Sequence, residues 1–410
     1  MYSKERVKTT LKHIEPDRVP MFELSINNKI SSGILKRETF IGDGIAYKNA
    51  IISNMGSEED LRKSFRDGFK DTIELYGMAK LDIVWLKIQK YLTPVFPNLA
   101  NFGSLGAYDV EVKEIGRNRY QIESEEGFWS ECFYDEDKSK GFYNTNDCIK
   151  EKGIEEFGRY VVYLEKKSRK IPKQIKIGSE ELKKAIENPQ ASKLFITGFC
   201  DVIFPTFAPF LEVFMEAMIL KPDIVYRYME VTTEGVLILL DEYIQAGVDG
   251  IIGANDIASK RGTMISPNHF EKFILPYLKK IIDKCHERNI PFIKHYDGNI
   301  NAILDLLINN GEIDGLHSIE PVASMDIYDL KKRYGDKITL LGNLDCANLM
   351  TFGSKEEIEK EIKKLIKFIA PGGGYVFSSS NAIHSGISLE TFNFINEKVL
   401  EYGKYPFELR

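Results

Sequence analysis

Five times in the second half of the chain, an apolar run too short for a helix ends in polar or ionisable residues and gives way to a helix-like stretch. The first is Gly250-Ile251-Ile252-Gly253-Ala254-Asn255-Asp256. Next, Ile290-Pro291-Phe292-Ile293 closes in Lys294-His295-Tyr296-Asp297-Gly298-Asn299. Then come Gly315-Leu316-His317-Ser318-Ile319-Glu320-Pro321, Ile338 to Asp345, and Tyr375 to Asn381. Continuous apolar strands alternating with helices predict a parallel sheet buried on both faces. Eight such units close into a barrel, and the loops after the strands then converge on one mouth. The expected fold is therefore α/β, a single (β/α)8 TIM barrel spanning residues 1–410.

The first half supplies the remaining pieces. Lys4 to His13 reads as an amphipathic helix stopped by Pro16, and Arg18 to Leu24 as the first strand. Glu58 to Met78 is a helix with Ser57 at its N-cap, and Asp82 to Leu86 a second strand. Tyr108 to Val112 and Tyr120 to Glu123 alternate apolar and polar about Gly116-Arg117-Asn118, a β-meander signal. Lys150 to Pro189 is charged and helical in flavour, so residues 105–190 are expected to form an insertion outside the barrel wall. Leu194 to Phe199 returns as a strand, and Asp223 to Ala246 is a long helix. Ile303 to Ile308 continues as an apolar-periodic helix after Gly298, which lets the backbone turn.

Composition narrows the partners. With 410 residues, 43% of them hydrophobic, a large core is available. A formal net charge of −6 argues against nucleic acid as the main partner, because phosphate binding needs a basic surface. No apolar run approaches twenty residues and no signal-peptide pattern is seen at Met1-Tyr2-Ser3-Lys4-Glu5, which implies a cytoplasmic protein with no membrane association. Five dispersed cysteines (Cys132, Cys148, Cys200, Cys285 and Cys346) without a CxxC pair fit reduced thiols.

The chemistry-bearing residues cluster at the strand ends. His295 and Asp297, two apart at the end of a strand, point the same way. Ionisable groups at the C-terminal ends of parallel strands are where α/β enzymes keep their chemistry. The structural alternative is a His that ends a strand and an Asp that caps the next helix. His317 and Glu320 end another strand as ligand or substrate contacts, or His317 is a buried imidazole donating to a backbone carbonyl. Asn255 and Asp256 are candidates to bind substrate or to orient a ligand. His384 lies in the loop after the last strand, a position that often meets anionic groups; the alternative is a loop cap. Asp201 reads as a turn residue. Gly372-Gly373-Gly374 precedes a strand instead of opening a helix, so it is no phosphate cradle. Glu356 to Lys367 is a solvated helix face.

The chain as a whole resembles the uroporphyrinogen decarboxylase superfamily. The resemblance runs through Glu5-Arg6-Val7, Glu15-Pro16-Asp17-Arg18-Val19-Pro20, Ala246 to Gly250, Ile265-Ser266-Pro267, Leu275-Pro276-Tyr277 and His295 to Asn299. It continues through Met325-Asp326-Ile327, Gly342-Asn343-Leu344-Asp345 and Ala370 to Tyr375. It implies a (β/α)8 barrel and two chemistries: cofactor-free decarboxylation of a tetrapyrrole, or methyl transfer between a small substrate and the cobalt of a corrinoid protein, usually with zinc in the barrel mouth. The decarboxylases resembled carry arginines on the first strand, which pair bidentately with substrate carboxylates. Here Met21 to Lys29 has no arginine and carries Glu23 instead. The thiol-methylating members use His-x-Cys and a late Cys as zinc ligands. His295 and Asp297 match the first pair with Asp for Cys, and the late position falls on Ser378-Ser379-Ser380.

The resemblance therefore implies a corrinoid-dependent methyltransferase, with a corrinoid-binding protein as partner and zinc as metal. His295, Asp297 and His317 are the expected catalytic residues. Glu23, Asn255, Asp256, Glu320, Asp345 and His384 are expected to meet the small-molecule substrate, and His295, Asp297, Glu320 and Cys346 the metal. A decarboxylase and a non-catalytic binding barrel stay open as alternatives.

Overall fold

The computed structural model of this chain describes residues 1–39, 41–42, 57–88, 110–135, 142–167 and 173–407. The short apolar runs form seven parallel strands, in the order β1 (Ile83–Trp85), β6 (Phe195–Phe199), β7 (Gly250–Ala254), β10 (Phe292–Tyr296), β11 (Gly315–Ser318), β12 (Thr339–Leu344) and β13 (Tyr375–Ser379). Nearly every residue in them is buried, because helices cover one face and the inward side chains fill the other. The sheet curls. The extended segment Pro20–Phe22 meets both of its edges: Met21 bridges Phe377 of β13 and Phe22 bridges Ile83 of β1, both in parallel sense.

That segment was expected to be a full strand, Arg18 to Leu24. It pairs in single bridges instead. Pro20 has no N–H to give a ladder, and the chain is held by other means. Asp82 is fully buried and accepts from Arg6 Nη1 at 2.6 Å, Arg18 Nη1 at 2.7 Å and the Met21 N–H at 2.8 Å. One carboxylate thus ties the opening helix (Ser3–Thr10) and the 18–21 segment to the start of β1.

Between β1 and β6 the chain builds a separate four-stranded antiparallel sheet: β2 (Val110–Gly116), β3 (Arg119–Ser124), β4 (Trp129–Tyr134) and β5 (Phe142–Asp147). Tyr108 and Asp109 of the expected meander lie outside the described residues. Alternate residues of β3 and β4 are buried, as a one-sided sheet requires. Phe128, in the turn between them, packs on Tyr160 and Tyr163 of the helix Ile154–Lys167, with ring centroids 5.4 and 5.2 Å apart. The helix Lys173–Ile186 then packs on Glu58–Met78 and Pro222–Ala246, returning the chain to the helical layer before β6. A short hairpin, β8 (Ala258–Ser259) with β9 (Gly262–Thr263), follows β7.

Local signals set most helix ends. Ser57 caps Glu58–Met78 in a capping box with Asp60, and Gly247, at φ +90°, ends Pro222–Ala246. The helix expected over Ile303 to Ile308 is present but irregular: a 3₁₀ turn (Asn301–Ile303) runs through the α-helical Leu304 and Asp305 into a wide π-type turn (Leu306–Asn310). It closes through Gly311 N–H to the Leu306 carbonyl at 2.8 Å, where Asn309-Asn310-Gly311 offers poor helix formers. Among the described residues, no helix is long and apolar enough to cross a membrane.

Candidate active site

β10 sorts its side chains onto two faces. Lys294 and Tyr296 go one way, and His295 and Asp297 the other. Lys294 is fully buried, a costly place for an ammonium, and it pairs there with the equally buried Asp201. Burial lowers the Lys294 pKa and raises that of Asp201, and their contact opposes both shifts. Asp201 also accepts from the Asn255 N–H at 2.8 Å, and the Lys294 ammonium lies 3.6 Å from the centre of the Tyr296 ring.

On the other face, parallel pairing puts His295 opposite His317 of β11. Their Nδ1 atoms are 2.7 Å apart. His317 Nε2 lies 3.1 Å from Ser378 Oγ on β13. His295 Nε2 faces two acids, with Asp297 Oδ1 at 3.4 Å and Asp256 Oδ1 at 4.0 Å. Burial is the largest influence on His295 and depresses its pKa to about 4, so the ring is neutral. Burial also drives His317 well below its usual value, with the His295 ring adding to the effect.

Asp297 is held from three sides. Asn381 Nδ2 donates to its Oδ2 at 2.7 Å, Ser318 Oγ to its Oδ1 at 3.4 Å, and its own N–H donates to Asp256 Oδ1 at 2.9 Å. Burial first, then the neighbouring carboxylates of Asp256 and Glu320, push its pKa up to about 8. The turn that follows needs glycine. Gly298 has φ +81°, and a Cβ there would stand 2.7 Å from the Ser259 carbonyl oxygen. Its N–H donates to Glu320 Oε2 at 2.7 Å.

Three of these side chains could together hold a cation. Among the described residues, Asp256, His295 and Asp297 form a group whose ligand atoms all lie within 4.8 Å of one another. Two donors on one divalent ion stand roughly 3 Å apart, close to the His295–Asp297 separation. A neutral imidazole and two carboxylates suit a divalent cation of borderline to hard character.

The sequence-derived candidates divide. His295, Asp297, Asp256 and His317 meet. Glu320 borders them through the Gly298 turn but stands outside the three-ligand group. Cys346, expected as a ligand, also stands outside it: Ser380 donates to its sulfur at 3.4 Å, and burial raises its pKa. Glu23 is buried against Ser379, whose N–H and hydroxyl both donate to it. Burial pushes Glu23 up to about 8 despite those bonds. Asn255 spends its amide on the carbonyls of Val202 and Phe204, and Asp345 caps the N–H groups of Ala347 and Asn348. His384 Nε2 lies 3.1 Å from the Cys346 carbonyl. Sequence reading missed Ser318 and Asn381, which carry no signal of their own, and the Lys294–Asp201 pair, whereas Ser378 falls at the late position where the resemblance implies a Cys. A lysine inside an apolar strand could have revealed that pair, since it must find a buried acid.

Residues 191–402 match the family described as Uroporphyrinogen decarboxylase (URO-D). The chain is 25% identical over 194 residues to the uroporphyrinogen decarboxylase of Actinobacillus pleuropneumoniae, covering 46% of this chain and 51% of that protein. It is 27% identical over 187 residues to that of Thioalkalivibrio sulfidiphilus, covering 44% and 50%. The match thus spans about half the length of these curated relatives. Among solved structures, a methyltransferase from Methanosarcina mazei superposes with a TM-score of 0.62 over 98% of this chain and 99% of its own, at 18% identity, a likeness of fold.

Proposed function

Because this chain belongs to the uroporphyrinogen decarboxylase family, we propose that it is one of the family's methyl-transferring enzymes, moving a methyl group between a small substrate and a corrinoid carried by a partner protein in the cytoplasm. The observation that carries this reading is the Asp256–His295–Asp297 group, a divalent-cation donor set at the strand ends. These three residues would hold a cation, with zinc as first candidate, which would supply Lewis acidity to the heteroatom that bears the methyl group. The protein's part is placement. His295 presents an unprotonated nitrogen, Asn381 and Ser318 fix the Asp297 carboxylate, and Glu320 holds the Gly298 turn that carries it. Glu23 and His384 are the residues assigned to substrate contact. With carboxylates in place of thiolates, the site suits an oxygen- or nitrogen-bound methyl group better than a thiol acceptor.

Pro20–Phe22 is taken as the eighth stave, closing the seven strands into one barrel domain, with residues 105–190 as an insertion. A buried Glu23 where the decarboxylases carry arginine speaks against a polycarboxylate substrate. The test is to measure metal content, then incubate the metal-loaded protein with cob(I)alamin and methoxylated or methylamine-type donors, following methylcobalamin by absorbance. Methylcobalamin formation that disappears with chelation supports the reading. Turnover of uroporphyrinogen without metal or corrinoid decides for a decarboxylase, and ligand binding without any turnover for a binding barrel.

A further inference from the structure

We infer that His317 is a positioning residue that sets the tautomer of His295: its Nδ1 accepts a hydrogen bond from His295 Nδ1–H, leaving the Nε2 lone pair of His295 aimed at Asp256 and Asp297. Two neutral imidazoles meeting Nδ1 to Nδ1 at 2.7 Å share one proton, and its location fixes the state of all four ring nitrogens. Both rings are buried, so no bulk water stands in for a missing partner. Strand register holds them opposite each other, and the Phe22 ring meets the His317 ring edge-on at 5.3 Å.

The surroundings of the two outer nitrogens bear on which arrangement holds. Ser378 Oγ, 3.1 Å from His317 Nε2, serves equally as donor or acceptor and so accepts an Nε2–H there, which leaves His317 Nδ1 as the acceptor. On the far side, the carboxylate oxygens stand 3.4 and 4.0 Å from His295 Nε2. A charge-assisted N–H···O bond is about 2.7–2.9 Å long, so the acids are not placed around an Nε2–H donor.

The arrangement has a chemical consequence, which rests on the metal reading above although the tautomer does not. Metal-bound histidines commonly donate their second N–H to a carboxylate or a carbonyl, which makes the ring a stronger ligand. A neutral imidazole in that place returns less electron density. A cation at this site is left more electrophilic, as polarising a methyl-bearing oxygen or nitrogen requires.

The experiment reads the ring directly. The chain has only six histidines, so long-range proton–nitrogen correlation on uniformly ¹⁵N-labelled, metal-free protein distinguishes the tautomers. Wild type is expected to carry Nδ1–H on His295. His317→Phe, which keeps a ring but no acceptor, is expected to shift the proton to Nε2 and weaken Zn²⁺ binding about 10- to 100-fold by titration. His317→Asn, whose amide oxygen falls near the position of Nδ1, is expected to restore the tautomer and most of the affinity. An Nε2–H on His295 in wild type overturns the proposal, as does His317→Phe with tautomer and affinity unchanged. Should His317→Phe fail to fold, the wild-type tautomer alone decides. Wild type with Nδ1–H but no Zn²⁺ binding supports the tautomer assignment and refutes the metal site.

Discussion

Single side chains carry the sharpest tests. His295 is expected to lose activity tens- to thousands-fold as His295→Ala, since Lewis-acid stabilisation is worth several kcal/mol, a loss that persists in the folded protein beyond the fall in melting temperature from leaving buried His317 without its partner. A folded His295→Ala protein with wild-type turnover would remove this residue and the metal with it. Glu23 gives a pH prediction whose sign can be worked out. Its pKa is about 8 in the fold, raised by burial, against an ordinary value of 4.5. The folded protein therefore holds a proton that the unfolded chain releases, so stability is unaffected below about pH 4.5, falls as pH rises toward 8, and is level above that. The ceiling on that loss is roughly 5 kcal/mol, and local relaxation lowers it. Glu23→Gln keeps a partner for Ser379, which also reaches the Asn381 carbonyl at 3.2 Å, and removes the charge. The Cys346 thiol and the Tyr76 phenol, which feel the Glu23 charge, are left in place. Melting curves are expected to show Glu23→Gln gaining on wild type between pH 5 and 8. A constant difference across that range would contradict the assignment.

Among the elements, β10 shows how one strand serves two purposes. One face presents His295 to the site and the other buries Lys294 against Asp201. Removing one partner of a buried pair leaves an uncompensated charge, so Lys294→Met is expected to cost about 3–5 kcal/mol in denaturant unfolding. Adding Asp201→Asn is expected to recover part of that loss, because Asn keeps an acceptor for the Asn255 N–H without the charge. Additive losses in the double variant would show that the two residues do not act as a pair. The four-stranded sheet β2–β5 is the opposite case. Its pairing was half visible in alternating residues, whereas Phe142–Asp147, Phe-Tyr-Asn-Thr-Asn-Asp, has no such pattern and became a strand only by pairing with β4.

For the molecule as a whole, the Asp82 cluster matters most. It gathers Arg6, Arg18 and the Met21 N–H, and so brings the start of the chain to the sheet edge where Phe22 bridges Ile83 and Met21 bridges Phe377. Asp82→Ala would leave the Met21 N–H without its acceptor, while the buried Arg6 keeps Asp17 and the Met1 carbonyl and the part-buried Arg18 keeps the Val19 carbonyl. It is expected to destabilise the protein by about 1–3 kcal/mol in urea unfolding. A loss under about 1 kcal/mol would mean that apolar packing alone holds the two sheet edges together.

The sequence by itself determined the strands of the curled sheet and the ends of them at which polar and ionisable side chains gather. A strand buried on both faces must be written in continuous apolar residues, and the polar residues that break the run mark its C-terminal end. That is why His295, Asp297, His317 and Asp256 were legible without coordinates. Only the tertiary structure decided which of them meet. Register, which a sequence does not encode strand by strand, set His295 against His317. The β7 and β10 endings converged to add Asp256 to the ligand group, and Cys346 was left outside it beside Ser380. Pro20–Phe22 looked like a strand in isolation. It became a set of single bridges because its partners lie some 60 and 355 residues away in sequence, and contacts across such distances are chosen by the packing of the whole core.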